Sequence, residues 1–462
     1  MTDDRNEATY ESLSEVYKSP RATVTYWKNA LELAEMEGWQ KKAKEVTKIY
    51  NGDKKVAFDI LYANTEITRG ALYNSVPVPD IRVRYGDRNE AARKGASVLE
   101  RAILYGLDEY DFDGALKEVV KDISLVSRGT VRVKYVPIMR TVEEEDATGQ
   151  TIKRDVVAWQ MATCEFVRWD KFRHGPGITW SDVPWVAFET SMTRDELLAV
   201  PGLSEDEAKR VPLDASEDEM SDDKPSSEKS AFKHAQVWQV WDKDTRQVFL
   251  ICPGFEEKPI AVIPDPLGLL DFFPCPKPVY FLKKEGDQTP ICAYEKYEQQ
   301  ASELNRVTLR MKALINMLKV RGIRASEVPE IAQVMSAADG EFIPSEGALA
   351  AMGGTNGLSD AIWMMPIREI VTVVRELAAQ REQIKQTIYE IAGISDIMRG
   401  AVNPDEKLGQ SQMKGQYGSM RMSDAQSDLQ RFVAEIFKIK NGKIRQIEAV
   451  LMTVPYGMES GW

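Results

Sequence analysis

Carboxylates are the most abundant groups in this sequence that could do chemistry, 72 Asp and Glu against 60 Lys and Arg in 462 residues. Runs such as Glu143-Glu144-Glu145-Asp146 and Asp405-Glu406 carry the hard oxygen ligands that Mg²⁺ prefers. A metal site needs ligands converging from several segments, and with so many acids adjacent pairs arise by chance. The two histidines, His174 and His234, stand sixty residues apart and read as surface or core-edge residues rather than as a base or a ligand. Cys164, Cys252, Cys275 and Cys292 form no CxxC pair and read as buried or incidental thiols of a reducing compartment. No pattern joins Cys275 to a histidine as a nucleophile. GxxxxGK[ST], GxSxG, HExxH and the EF-hand loop are all missing. The sequence therefore predicts no catalytic residue, no metal and no cofactor.

Net charge is −12, which argues against tight nucleic-acid binding, since that needs clustered Lys and Arg to displace counterions. Loose handling of a duplex is compatible with it. Hydrophobic residues at 43% and charged residues at 29% give an ordinary globular balance, excluding wholesale disorder, collagen-like repeats and a membrane-embedded chain. Length suggests about three domains. The polar, acidic start is unlike a secretory signal, and no run approaches the roughly 20 apolar residues of a bilayer span. The expectation is a soluble chain, cytosolic when made, with no membrane partner.

Element signals alternate between helix and strand. Thr25–Glu37 predicts a helix with Trp27, Leu31, Leu33 and Ala34 near one face, interrupted at Gly38. Lys41–Tyr50 continues to the stop signal Asn51-Gly52. Phe58–Tyr73 is helical; Val76–Asp80 is held extended by its prolines, and Ile81–Tyr85 alternates as a short strand. Helices follow at Ala91–Tyr105 and Phe112–Leu125. From Gly129 the period becomes two, with a hairpin to Ile152–Trp159. Residues 164–190 are irregular and strand-rich, and Thr193–Glu196 is a capping box. Ser204–Ser230 has almost no aromatic or β-branched residues and predicts a mobile, solvated loop. Val237–Trp241 and Gln247–Cys252 pair as strands, and Pro264–Pro278 is loop.

Two long helices then dominate. Pro290–Val320 has no internal Gly or Pro, and Tyr294, Tyr297, Ala301, Leu304, Val307, Met311, Leu314 and Leu318 step by three and four, a rod of roughly 45 Å. Pro366 opens a second rod of roughly 40 Å ending at Gly393, with Ile367, Ile370, Val374, Leu377, Arg381, Ile384, Ile388 and Ile391 as its stripe. A two-helix hairpin of this size cannot cover both helices, and no other segment of similar length remains to do so. Self-association is favoured. Residues 393–412 are glycine-rich and polar, and Gly415–Lys440 is helical again, followed by a short segment Lys443–Leu451.

At this point the chain resembles the portal proteins of tailed double-stranded DNA bacteriophages. Leu61–Asn64 through Ala71–Pro77 resembles their N-terminal wing segment, and Gly129–Val133 the wing strand after it. The most specific stretch is Ile388–Ile397 with Arg399-Gly400, then Gln410-Ser411-Gln412 and a helix carrying Arg421 and Phe432. The resemblance implies an α+β, predominantly helical subunit that assembles into a ring. Its parts would be a wing (1–289), a first stem helix (290–320), a small clip (321–365), a second stem helix (366–392), a tunnel loop (393–412) and a returning wing helix with a short crown or tail (413–462). It implies a ring of twelve subunits at one capsid vertex, through which double-stranded DNA is packaged and ejected. The partners it implies are the terminase large subunit, head–tail adaptors, and major capsid or scaffolding protein. The location would be the virion, reached from the host cytoplasm. Larger relatives carry a long crown, for which this chain has little sequence.

Under that resemblance an acidic tube wall repels the duplex toward its axis, leaving few basic groups for transient contact. Arg399, Lys407 and Lys414 are the expected contacts, with Asn403 and Gln410 lining the loop; Phe342, Ile343 and Trp363 are expected clip or inter-subunit packing residues. Two other functions compete. One is a self-associating tail, baseplate or internal capsid protein, which needs no inward loop. The other is a metal-dependent nuclease built on the clustered carboxylates.

Overall fold

The computed structural model describes residues 19–82, 90–145, 151–213, 233–317, 322–324, 362–364, 367–394, 398–399 and 422–440. These build a mixed α+β chain in which helix outweighs strand and every strand pair is antiparallel. The chain divides into two units, one of residues 1–54, 61–296 and 393–462, the other of residues 55–60 and 297–392.

In the first unit, Ser19 caps helix α1 (Pro20–Leu33) by accepting from the Ala22 amide at 3.2 Å, with Pro20 at the position where its missing N–H costs nothing. Helix α2 (Glu37–Tyr50) follows after a break at 34–36. Gly38 therefore lies inside α2, not at the break. The chain turns earlier because Trp27 packs on Trp185 and Phe249 while Trp39 packs on Trp169. Leu33 is 89% exposed, on the opposite side from Trp27 and Leu31. α2 ends at Asn51 with Gly52 at φ 83°, a left-handed position that glycine accepts at no steric cost.

Helices α3 (Ile60–Leu72), α4 (Glu90–Glu109) and α5 (Phe112–Val126) lead to the long hairpin of β1 (Arg128–Glu145) and β2 (Thr151–Val167), which pairs Val131 with Phe166 and slips at Ile138/Met139. Ile81 forms no strand; its amide donates to Glu100 at 3.1 Å. Ser127, at φ 67°, turns α5 into β1, and β1 returns so close to α5 that a Cβ on Gly129 would lie 2.7 Å from the side chains of Ile123 and Val119. A core forms where α4 and α5 meet this hairpin and helix α10 (residues 422–440), from Ile103, Phe112, Leu116, Val131, Phe432 and Ile436.

A five-stranded sheet orders as β3 (Phe172–His174), β4 (Trp185–Met192), β5 (Ala235–Asp242), β6 (Gln247–Ile251), β7 (Ala261–Pro264). Alternate side chains go to opposite faces. Trp185, Ala187, Trp238, Val240, Phe249 and Ile251 lie under α1. The opposite face packs at one end on Phe272 and Phe273 of the 264–278 loop, and at the other on Leu197 and Ala208 of two short helices, α6 (Arg194–Leu198) and α7 (Glu205–Arg210). Both short helices carry complete capping boxes, Thr193 with Glu196 and Ser204 with Glu207. Residues 204–213, expected as loop, are thus folded at their start because Ala208, Val211 and Leu213 reach the sheet; residues 214–232 lie outside the described set. Strand β8 (Val279–Tyr280) joins the outer side of β1.

Two buried titratable groups set opposite pH slopes. Asp122, 8% exposed, accepts from the Trp169 amide at 3.2 Å, and burial pushes its carboxyl up to about 8. His174, 4% exposed, is pushed down to about 4, first by burial and then by the Arg128 charge. Between pH 4 and 6.5 the folded state holds one extra proton at Asp122 and lacks one at His174, so the slopes cancel. Above 6.5 the histidine is neutral in both states and only Asp122 remains, so stability falls as pH rises to 8, by roughly 2 kcal/mol. Asp122→Asn should flatten that limb, raise the midpoint of thermal unfolding more at pH 8 than at pH 5.5, and leave stability rising between pH 4 and 6.5 on the His174 slope alone, as read by calorimetry across pH.

Candidate functional site

The second unit is built on helix α8 (Glu298–Met317) and helix α9 (Ile367–Ala392), about 30 and 39 Å long. The first helix starts later than the expected Pro290. Pro290 is held in a bridge to Lys283, the Cys292 amide donates to the Glu295 carboxylate at 3.2 Å, and residues 293–296 form a single 3₁₀ turn. Beyond the helices a two-stranded ribbon of β9 (Gly322–Arg324) and β10 (Ile362–Met364) pairs Trp363 with Ile323. The chain therefore leaves α8 and re-enters α9 at the same end, which makes the helices antiparallel and closes the base of the intervening insert.

Burial along this hairpin is graded. Ala301, Leu304 and Val307 of α8 and Leu377, Ile384 and Ile388 of α9 are buried. Toward the ribbon, Met311, Leu314, Ile370 and Val374 are only half-buried, and Leu309, Ile315 and Val373 are 52%, 48% and 37% exposed. At the other end Phe58 lies under the Arg381 guanidinium at 4.6 Å and the Lys385 ammonium at 5.9 Å, and Arg381 also donates to Thr308 at 3.2 Å. The arginine in the middle of an apolar stripe is accommodated by an aromatic face and a hydroxyl, which lets its stem pack while its charge stays solvated.

Of the residues singled out for a channel, Arg399 is half-buried in a turn at 398–399, beside Met398, which packs on the α4–α5–α10 core. Asn403, Lys407, Gln410 and Lys414 lie outside the described residues, as do Phe342 and Ile343, and of Trp363 only the strand position is described. Of the proposed contacts, the described residues thus include Arg399 and the strand position of Trp363. The acidic runs at 143–146 and 405–406 likewise fall outside what is described of side chains. Among the described residues, no three His, Cys, Asp or Glu side chains converge to hold a metal ion, and no helix is long and apolar enough to cross a membrane.

A concavity that spacing did not reveal lies in the first unit. A cleft of about 1100 Å³ opens between the end of α1, the 174–184 segment, the β5–β6 turn and residues near 287. Trp27, Trp185 and His174 are its buried lining. Asp182, Asp242, Asp244 and Asp287 are its carboxylates, and Lys243 its only lysine or arginine. That lysine is engaged elsewhere, donating to the Ser181 carbonyl at 3.2 Å and lying 5.9 Å from the Phe273 ring. The negative field is felt inside: the Tyr26 hydroxyl is pushed up by burial, then by Asp242 and Asp244. His174 Nδ1 is 2.8 Å from the Gly175 carbonyl, which can only accept, so that nitrogen carries the proton and Nε2 is the acceptor. No sequence signal could have found this cleft, because its residues come from four separated segments. All four cysteines are free and buried, and burial raises Cys164 to about 12, which keeps it a thiol.

No protein-family model matches the chain, and no curated protein matches it significantly. The graded burial of the hairpin yields a direct test. Leu304→Ala, at a fully buried position, should cost about 2–5 kcal/mol and strip hydrogen-exchange protection from α8 and α9. Leu309→Ala, in the exposed row, should stay within about 0.5 kcal/mol and leave protection unchanged.

Proposed function

We propose that this chain is a portal subunit of a tailed double-stranded DNA bacteriophage, a non-catalytic component that assembles into a ring and conducts DNA. The observation that carries the proposal is the hairpin of α8 and α9, tied at its far end by the β9–β10 ribbon and graded from a closed base to half-buried stripe positions, with Leu309, Ile315 and Val373 exposed. Two helices that leave such positions uncovered find cover in further copies of themselves, and a ring repeats one heterologous contact until it closes. The sequence resemblance assigns this hairpin to the stem, the insert to the clip, and the loop after Gly393 to the tunnel.

Charge supports the same assignment. At −12 per chain, a ring presents a repulsive wall to DNA, so the duplex is centred rather than gripped. Arg399, with Lys407 and Lys414, would supply transient phosphate contacts. Energy for translocation would come from a partner ATPase, the terminase large subunit, docked on the clip; adaptors would replace it after filling, and the wing would meet capsid or scaffolding protein.

The deciding measurement is native mass with electron microscopy of the same sample. Twelve copies of a 52.1 kDa chain weigh about 625 kDa, and the expected particle has an axial hole wider than a duplex. A compact dimer or tetramer with no hole would overturn the proposal in favour of another self-associating structural protein. Within the ring, replacing Leu309, Ile315 and Val373 together by Lys should shift the mass distribution toward monomer with no loss of thermal stability. Replacing Arg399, Lys407 and Lys414 together by Ala should leave the mass unchanged and alter DNA packaging or retention; unchanged packaging and retention would remove those three from the channel.

A further inference from the structure

The cleft of the first unit joins three features that belong together chemically. Its lining includes Trp27 at 2% and Trp185 at 5% exposure, with the half-buried Tyr26 edge-on to Trp27 at 5.0 Å. Four carboxylates surround that lining, of which Asp182, Asp244 and Asp287 are exposed, and the single lysine present is turned to Ser181 and Phe273. Leu33, 89% exposed, stands on the cleft wall, and Ile178, 71% exposed, follows Gly177 at its edge. Trp27 Nε1 and His174 Nε2 have no hydrogen-bond partner; neither reaches water, so an occupant gains them only by parting the side chains above.

Carboxylates gathered around a concave site attract cations. Anionic occupants are repelled, which removes nucleic acid and acidic lipid surfaces. A small cation would use the carboxylates but leave Leu33 and Ile178 bare. A protein segment that alternates apolar and basic side chains satisfies both, and about 1100 Å³ is room for several such side chains. We infer that this cleft is a docking site for a partner protein's segment bearing arginine or lysine between apolar residues. The inference does not depend on the portal assignment: it concerns the α1–sheet unit alone, and it holds or fails whether or not the chain forms a ring.

The test uses the full chain and a blocked hexapeptide alternating leucine and arginine, with tryptophan fluorescence and calorimetry as readouts. A second peptide alternating leucine and glutamate, and arginine amide alone, are the comparisons. Saturable one-to-one binding of the leucine–arginine peptide at low salt is expected, weakened at high salt as the carboxylates are screened. The double variant Asp244→Asn/Asp287→Asn should weaken it at least about tenfold; both residues are exposed, and asparagine at 287 still accepts the hydrogen bond from Thr289. An unchanged thermal midpoint shows that this variant folds. No saturable binding, equal binding of the glutamate peptide, or equal binding by the folded double variant would each overturn the inference. Arginine amide binding as tightly as the peptide would reassign the cleft to a small cation. A lower native mass for the double variant would reassign it to a contact between copies of this chain.

Discussion

One guanidinium holds the first unit together. Arg128, 2% exposed, donates to the carbonyls of Trp169 and Phe172 and lies 4.4 Å from the Trp39 ring and 5.4 Å from the Phe172 ring. It thereby joins α2, the start of β1 and the entry to the five-stranded sheet at a single point. Burial lowers its affinity for a proton only to about 10, so it remains charged at neutral pH. A buried charge is costly unless its donors are occupied and its faces covered; here two carbonyls take Nη2 and two rings cover the faces, while the buried Nε has no hydrogen-bond partner. The corner around it is equally constrained. Trp39 Nε1 donates to the Val126 carbonyl at 3.0 Å, Ser127 takes the left-handed turn, and Gly129 has no room for a side chain. The α5–β1 junction is therefore a fixed joint, from which the long hairpin and the sheet take their directions.

The second unit is organised by the opposite condition. Its helices have a closed contact at Leu304, Val307, Ile384 and Ile388 and lose it toward the ribbon. Packing cannot do better with two helices, since each presents an apolar stripe wider than the other can cover. The result is a rigid base and a half-covered end, with Arg381 stacked on Phe58 at the base.

Local signals in the sequence carried the local structure well. The capping box at Thr193, the stop at Asn51-Gly52, the period-two run after Gly129 and the three-and-four stripe from Tyr297 to Val307 each correspond to an element or a buried row. Where expectation and structure part, a distant contact decided. Gly38 did not break a helix because Trp27 and Trp39 pack against different partners, which forces the turn two residues before it. The residues after Ser204 fold because Ala208 and Val211 meet the sheet, a contact that a polar composition conceals. His174 is core rather than core-edge, and Arg128 is buried although arginine is rarely so, because both are fixed by backbone carbonyls remote in sequence or invisible to periodicity. The cleft illustrates the limit: its aromatic lining and its carboxylates become neighbours only after the sheet has formed.

The two units handle charge differently. In the first, charge is taken inside and neutralised by carbonyls and rings, which is tolerable only in a body whose packing is complete. In the second, the Arg381 guanidinium stays half-exposed and lies on the Phe58 ring. Exposed apolar side chains occur in both, Leu33, Ile178 and Leu270 in the first and Leu309, Ile315 and Val373 in the second.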